Sequence, residues 1–209
     1  MLVHKDGVKF IMIFFIITTF TFLEMPFLFY PFFFLTVWTV YFFRNPSPAL
    51  PVNEKIMVSP ASGKVVAIQE VMPPVDYELG DQPVTRVSIF LNIFDVHVNR
   101  SPVTGTVLKT MYHPGQFLNA SLDKASEKNE RNAILLQYKG KKMVVTQIAG
   151  LIARRIVCSV AKGQGLQKGD ELGLIRFGSR VDIYFDGVVK PFVQVGQRVH
   201  VGETAIYEI

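Results

Sequence analysis

The chain has 209 residues, 49% of them apolar, and a formal net charge of +5. That length suits one ordinary domain plus a further segment, and a single cysteine, Cys158, excludes an internal disulfide. The basic residues are scattered and accompany no nucleic-acid-binding motif. We therefore expect a basic surface that faces an anionic membrane, and no nucleic acid partner.

Two uncharged apolar stretches, 10–23 and 27–43, lie near the start of the chain. Each is slightly shorter than the 20 or so residues that span a bilayer, but usable where the bilayer thins. We predict a membrane-anchoring helical hairpin over residues 1–45 with its tip at 24–26. Basic residues flank it on both sides, which places the rest of the chain at the cytoplasmic face of the cell membrane. A cleaved signal peptide and a hairpin that enters one leaflet only are the alternatives.

A Pro-rich linker, 44–55, leads into the predicted β domain, residues 46–209. Short β-type runs punctuated by Gly, Pro, Asp and Asn fill this domain, while 117–129 suggests a helix or a mobile loop. The predicted strands are 64–71, 85–93, 96–100, 106–112, 133–138, 143–149, 155–160, 181–185 and 205–209.

Two weak internal repeats indicate how the strands combine. SPASGKV at 59–65 recurs as SPVTGTV at 101–107, and GQGLQKGDEL at 163–172 recurs as GQRVHVGETA at 196–205. The second pair is a turn pattern typical of lipoyl and biotinyl carrier domains. We therefore predict a mainly β fold, a flattened double-layer β-sandwich related to those barrel-sandwich hybrid domains, in which early repeats pair with late ones.

A carboxylate, an imidazole and an amide alternate with valines in IFDVHVNRSPVTG, as Asp95, His97 and Asn99. On one strand they would share a face, and Asp95 would be close enough to orient His97 as a base. A hydrogen-bonded structural pair is the alternative. The other histidines are too far apart in sequence to suggest a metal site, and we predict no metal.

The stretch LGLIRFGSRVDIYF, 172–185, is a strand interrupted by Gly178 and Ser179. Glycine tolerates backbone angles closed to other residues, and the serine hydroxyl lies beside the glycine carbonyl. This arrangement suits an intramolecular shift in which Ser179 attacks Gly178 and converts the peptide bond to an ester. A structural β-bulge is the alternative for an isolated Gly-Ser pair.

Five motifs in order resemble the short bacterial and archaeal type of phosphatidylserine decarboxylase proenzyme. They are YFFRNPSP, SPASGKVV, NIFDVHVNRSPVTG, YHPGQFLNA with DKAS and NER after it, and GLIRFGSRVDIYF. The resemblance extends from about Tyr41 to the C-terminus.

This resemblance implies self-cleavage between Gly178 and Ser179 into a β chain, 1–178, and an α chain, 179–209, held together as a heterodimer. Ser179 would become a covalent pyruvoyl cofactor that forms a Schiff base with phosphatidylserine and acts as electron sink as carbon dioxide leaves. The product would be phosphatidylethanolamine. A higher oligomer stays open.

By position in the motif, His97 would donate or accept a proton near the pyruvoyl group, with Asp95 assisting it. Arg100, Arg176 and Arg180 are candidates for the lipid phosphate or the substrate carboxylate, with solvated surface charges as the alternative. The longer branch of the family has an acid at the position of Ser62 and a second histidine at the position of Arg100. The group that activates Ser179 is therefore open, with His97 the first candidate.

A non-catalytic membrane-anchored carrier or adaptor of the lipoyl or biotinyl type is the alternative function. LDKAS, with Lys124, resembles a lipoylation site. A carrier lysine should occupy a tight hairpin between strands, whereas Lys124 lies in a polar stretch. Cys158, in an apolar β-type run, is expected to fill the core.

Overall fold

The computed structural model describes residues 2–120, 125–151, 155–176 and 178–208. The chain divides into two compact units, residues 1–47 and 48–209.

The N-terminal unit is an apolar helical hairpin. Helix α1 (Lys5–Glu24) begins at His4, whose side chain accepts a hydrogen bond from the Asp6 amide, and helix α2 (Pro26–Phe42) starts on the proline that follows Met25. The hydroxyls of Thr18 and Thr36 hydrogen-bond across the two helices at 2.8 Å. Strands β1 (Leu2–Val3) and β2 (Arg44–Asn45) pair antiparallel at the open end.

Helix α1 is long and apolar enough to cross a bilayer by length and composition, whereas α2 has 17 residues. Large apolar side chains such as Phe15, Phe22, Phe27 and Phe34 are exposed on the two helices. The predicted hairpin with its tip at 24–26 is therefore present.

The larger unit is built from antiparallel strands. They are β3 (Ile56–Val58), β4 (Gly63–Val71), β5 (Val84–Leu91), β6 (Val98–Arg100), β7 (Gly105–His113), β8 (Arg131–Tyr138), β9 (Lys141–Ala149), β10 (Ile156–Cys158), β11 (Gly165–Leu166), β12 (Glu171–Ile175), β13 (Ser179–Tyr184), β14 (Arg198–Val199) and β15 (Ala205–Glu208). A short 3-10 helix, Val75–Tyr77, precedes β5, and a one-turn helix α3, Ala125–Lys128, precedes β8.

The strands form one large sheet and two small ones. The eight-stranded sheet has the order β11-β7-β8-β9-β13-β5-β4-β14, a second sheet has the order β10-β12-β6, and β15 pairs with β3. Strand β13 lies in the middle of the large sheet, between β9 and β5.

The repeats found in the sequence adopt matching structures. Ser59 donates its hydroxyl to the Ala61 carbonyl at 2.6 Å, and Ser101 donates to the Val103 carbonyl at 2.7 Å. The Gly196 amide bonds the Val65 carbonyl at 2.8 Å, as the Gly163 amide bonds the Val107 carbonyl at 2.7 Å. Each early repeat therefore pairs with one late repeat, as predicted.

The main apolar core includes Val87, Val145, Val181 and Leu172. A second, smaller cluster of buried apolar side chains includes Tyr77. The predicted mainly β fold, preceded in the chain by an apolar helical hairpin, is thus confirmed. The sheets are compatible with the predicted lipoyl-like sandwich.

Two features of the larger unit differ from the sequence-based expectation. The strand predicted over 96–100 begins only at Val98, because residues 93–95 form a turn and 96–97 lie outside regular strand. Cys158 is exposed, so it does not fill the core. It lies in β10, an edge strand of the three-stranded sheet, which pairs with β12.

Candidate active site

Ser179 is the first residue of β13 and is completely buried. Its register partners are Leu91 on β5 and Ala149 on β9, so its side chain shares the face of Val181 that contributes to the main core. Among the residues that the structure describes, the Ser179 hydroxyl has no hydrogen-bond partner. A buried hydroxyl in this condition is costly for stability, and a catalytic role is one of the reasons for which such a group is retained.

Gly178 has φ of +56°, in the left-handed region that favours glycine. Its carbonyl oxygen lies so near Gly150 that a Cβ on Gly150 would collide with it. The absence of a side chain at residue 150 therefore gives the Gly178 carbonyl its space. The preceding residue, Phe177, lies outside the described residues.

His97 is fully buried just before β6. Its Nδ1 lies 2.9 Å from the Asp95 carbonyl oxygen. A carbonyl can only accept, so Nδ1 is the donor and the neutral ring keeps its lone pair on Nε2. The imidazole is thereby held in the tautomer that a general base needs.

A contact of β6 connects Asn99 to the face of the large sheet that bears Ser179. Asn99, two residues after His97, accepts a 2.9 Å hydrogen bond from the Gln147 amide. Gln147 lies opposite Val181 and therefore on the same face of the large sheet as Ser179. His97 lies two residues before Asn99, just outside the regular strand.

The Asp95 carboxylate does not have the contacts expected of it from the sequence. It accepts a 2.9 Å hydrogen bond from the Asn92 amide and forms an ion pair with Arg198. The reason is that Asp95 lies in the turn before β6, where its carbonyl rather than its carboxylate meets His97. Asp95 thus holds the turn that presents the histidine.

The three candidate arginines have separate environments. Arg180 is buried on the opposite face of β13 from Ser179, where it pairs with Asp182 at 2.6 Å and donates to Ser88. This arrangement does not favour Arg180 as a ligand for substrate, and it also excludes the solvated alternative.

Arg100 donates a 2.8 Å hydrogen bond to the Gly169 carbonyl and is half-buried. Burial lowers the pKa of its guanidinium, and the carboxylates of Glu171 and Asp170 oppose that shift. Arg176 is buried, and its amide donates to the Arg155 carbonyl at 3.2 Å.

Ser62, at the position of the expected acid, accepts a 3.0 Å hydrogen bond from the Val201 amide. This contact joins the early repeat to the late one and supports a role in geometry.

Three buried amides near the site were missed by sequence reasoning. Asn132 donates to Gln147 at 3.2 Å, which extends the chain of amides from Asn99. Asn129 donates to the carbonyls of Leu118 and Ala149, both at 2.8 Å, and so ties the 117–120 loop to the neighbour of Ser179. A polar residue within an otherwise apolar strand, as in VVTQIAG, was the available signal.

A cavity of about 270 Å³ opens where β13 begins. Its wall includes Gly178, and it is lined by Phe90, Asn92, Ile93, Asn119, Ala120 and Leu151. The lining is mainly apolar, which suits a lipid more than a free amino acid. Lys124, the candidate carrier lysine, lies outside the described residues.

The comparisons with known proteins fit this site. The model of the family described as phosphatidylserine decarboxylase matches residues 35–207. A curated relative, the phosphatidylserine decarboxylase proenzyme of Cereibacter sphaeroides (strain ATCC 17025 / ATH 2.4.3), is 47% identical over 207 residues, covering 99% of this chain and 89% of that protein.

Fold, site and relatives together define an enzyme of the carboxy-lyase class. The chain belongs to the phosphatidylserine decarboxylase family. This confirms the resemblance identified from the five motifs.

Proposed function

We propose that this chain cleaves its own backbone between Gly178 and Ser179, converts Ser179 to a pyruvoyl group, and then decarboxylates phosphatidylserine to phosphatidylethanolamine at a membrane. The observation that carries the proposal is the buried Ser179 hydroxyl, without a partner among the described residues, beside the left-handed Gly178. Membership in a family that includes a named proenzyme supports it.

The first step is an N-to-O acyl shift. The Ser179 hydroxyl oxygen attacks the Gly178 carbonyl carbon while its proton passes to a base, for which we propose Nε2 of His97. The carbon–nitrogen bond then breaks, the proton returns to the leaving amine, and an ester links Gly178 to Ser179. Ser62 is engaged with Val201, which supports His97 over Ser62 as the base.

The second step removes the Ser179 Cα proton and expels the Gly178 carboxylate. The dehydroalanine that remains takes up water and releases ammonia, which leaves a pyruvoyl group at the start of residues 179–209. No external oxidant or reductant is needed, because the elimination and hydrolysis balance without one.

The residues present fit such a group. It would lie at the start of β13, held by the ladders to Leu91 and Ala149, in a position closed to solvent. When present it supplies an electrophilic carbonyl that withdraws electrons from the substrate, which no ordinary side chain can do. His97 would hold the proton that replaces the lost carboxylate.

Membrane association is part of the proposal. The exposed apolar side chains of α1 and α2 suit contact with lipid, and the basic residues that flank the hairpin favour the cytoplasmic face. A substrate with two acyl chains remains in the bilayer, so an anchored enzyme meets it there.

The test is conversion of phosphatidylserine labelled in the serine carboxyl group and embedded in vesicles. The purified chain should release labelled carbon dioxide and form phosphatidylethanolamine, and phenylhydrazine, which reacts with ketones, should abolish both. Ser179→Ala should be inactive, whereas Ser159→Ala, at an exposed serine, should match wild type. No conversion, with added mass on Lys124 instead, would support the carrier function and overturn the proposal.

A further inference from the structure

Three large apolar side chains are exposed around the mouth of the cavity beside Gly178. Ile93 and Leu151 line the cavity and are 36% and 66% exposed, and Phe94, next to Ile93, is 57% exposed. A group of exposed apolar side chains at the edge of a cavity marks an interaction surface more often than an ordinary surface. We call these three residues the apolar rim.

The apolar rim lies where the scissile pair lies. Ile93 and Phe94 follow β5 and Leu151 follows β9, and the strands β5 and β9 flank β13 on its two sides. Their ends, Leu91 and Ala149, are the register partners of Ser179. The rim therefore stands at the edge of the sheet from which Ser179 is reached.

The turn that bears Ile93 and Phe94 is held by its own hydrogen bonds. The Phe94 amide donates to the Asn92 side chain at 2.8 Å, and the Asp95 amide donates to the Asn92 carbonyl at 3.0 Å. The Asp95 carboxylate accepts a 2.9 Å hydrogen bond from the Asn92 amide. The exposure of this turn is thus built into its backbone.

The chemistry of the proposed substrate indicates which surface should contact the apolar rim. The headgroup layer of one leaflet is only about 5–8 Å thick, so the serine carboxyl of a lipid in the bilayer stays close to the hydrocarbon. Extracting the acyl chains into water is unfavourable, and the cost grows with each CH₂. A buried residue 179 can receive that carboxyl group only if the cavity mouth approaches the hydrocarbon boundary.

A basic side chain stands at the same edge. Arg198, whose side chain is 57% exposed, is joined to the turn through Asp95. A basic residue next to an anionic bilayer surface strengthens binding to it. Exposed apolar residues beside an arginine match an anionic phospholipid surface better than a protein partner.

We propose that the apolar rim of Ile93, Phe94 and Leu151 inserts into the lipid bilayer, as a membrane contact of the larger unit in addition to the hairpin. This inference rests on the proposed function, because the substrate supplies the reason for insertion.

The test places a fluorescent reporter in the rim. Trp38 is the one tryptophan of the chain and lies in the hairpin, so Trp38→Phe provides a background for single new tryptophans. Phe94→Trp reports on the rim, and Phe192→Trp, at an apolar side chain 54% exposed beside Pro191 and Val193, is the matched control. Each full-length variant is reconstituted into phosphatidylcholine and phosphatidylserine vesicles whose acyl chains carry bromine.

We expect brominated lipid to quench most of the emission of Phe94→Trp and little of the emission of Phe192→Trp. Equal low quenching at both positions would overturn insertion. A different outcome is emission of Phe94→Trp that changes with protein concentration and shows no quenching by brominated lipid. That result would indicate that the rim contacts a second copy of the chain, and it would also overturn insertion. Quenching does not depend on turnover, so failure of the proposed function and failure of insertion are distinguishable.

A kinetic measurement supports the same test. Phe94→Ser should raise the apparent KM for phosphatidylserine in vesicles about tenfold and leave kcat for a water-soluble short-chain phosphatidylserine near wild type. Phe192→Ser should change neither. Unchanged kinetics of Phe94→Ser on vesicles would contradict the proposal, as would equal losses on both substrates.

Discussion

At the scale of single residues, His97 shows how a backbone carbonyl can fix the tautomer of the proposed base. The sequence predicted that the Asp95 carboxylate would orient the ring, but the Asp95 carbonyl does so at 2.9 Å. The carboxylate instead pairs with Arg198, more than a hundred residues away in sequence. Sequence spacing could bring Asp95 and His97 together, but it could not reveal the third partner that draws the carboxylate away.

Replacing His97 should slow both self-cleavage and decarboxylation. General acid–base catalysis typically contributes 10²–10⁴-fold, so we expect His97→Ala to lose about 100-fold or more in turnover. His97→Gln should behave similarly, because an amide can hydrogen-bond to the Asp95 carbonyl but cannot serve as the base. His113→Ala, at a half-buried histidine paired with Asp76, is the control. Rates of cleavage and of carbon dioxide release provide the measurement, and wild-type rates for His97→Ala would refute the assignment.

Arg180 shows a second limit of prediction from single residues: the face of the strand is predicted, but the burial of that face is not. Alternation along β13 correctly separates Arg180 and Asp182 from the core-facing Val181, and suggests solvent for the charged pair. Both are instead buried, because Ser88 and Ser126 cover that face and hydrogen-bond to them. Those partners lie on distant segments, so a period-two pattern alone carries no information about them.

At the scale of elements, β13 explains how a cleaved chain could stay assembled. It pairs with β5 on one side and β9 on the other, while β14 pairs with β4 and β15 with β3. All of those partner strands precede the proposed cleavage site. The strands after Gly178 are therefore paired with strands that precede it, which would hold the two proposed fragments together.

We expect the two fragments to remain associated after cleavage. Buried apolar side chains contribute roughly 2 kcal/mol each, and residues after the site bury several of them. These are Val181, Ile183, Phe185, Val199, Val201 and Ile206. Native mass spectrometry should show one particle that contains both fragments, and denaturant should separate them. Loss of residues 179–209 during size-exclusion chromatography in buffer alone would contradict this expectation.

The elements also differ in how far the sequence predicts them. Long alternating strands such as β4, β7 and β9 were predicted within two residues of their observed limits. The two-residue strands β11 and β14 were not, because so short a run has no periodicity and depends on the partner strand. The short helix α3 falls within 117–129, where a helix or a mobile loop was expected.

At the scale of the whole molecule, the repeats position the site. The two early repeats begin β4 and β7, and each of these strands pairs with the strand that follows it, β5 or β8. Both pairs have a register shift at the corresponding place, near Val65 and near Val107. Strand β13 lies between β5 and β9 and so joins the two halves of the sheet. The repeated motifs predicted this pairing because each one specifies the same turn hydrogen bonds.

Other whole-molecule features needed the folded chain. The cavity beside Gly178 gathers residues from the end of β5 and the turn after it, from the 117–120 loop, and Leu151, the second residue after β9. No motif joins these segments in sequence. The apolar hairpin, in contrast, is evident from composition alone because its residues are contiguous.

The most direct test of the account is the intact mass of the purified chain under denaturing conditions. Wild type should give two fragments, 1–178 and 179–209, the second lighter by one ammonia than a peptide that begins with serine. Ser179→Ala should give one uncut chain, and Ser159→Ala should split as wild type does. A wild-type chain that stays whole, or a Ser179→Ala chain that still splits, would contradict the central claim.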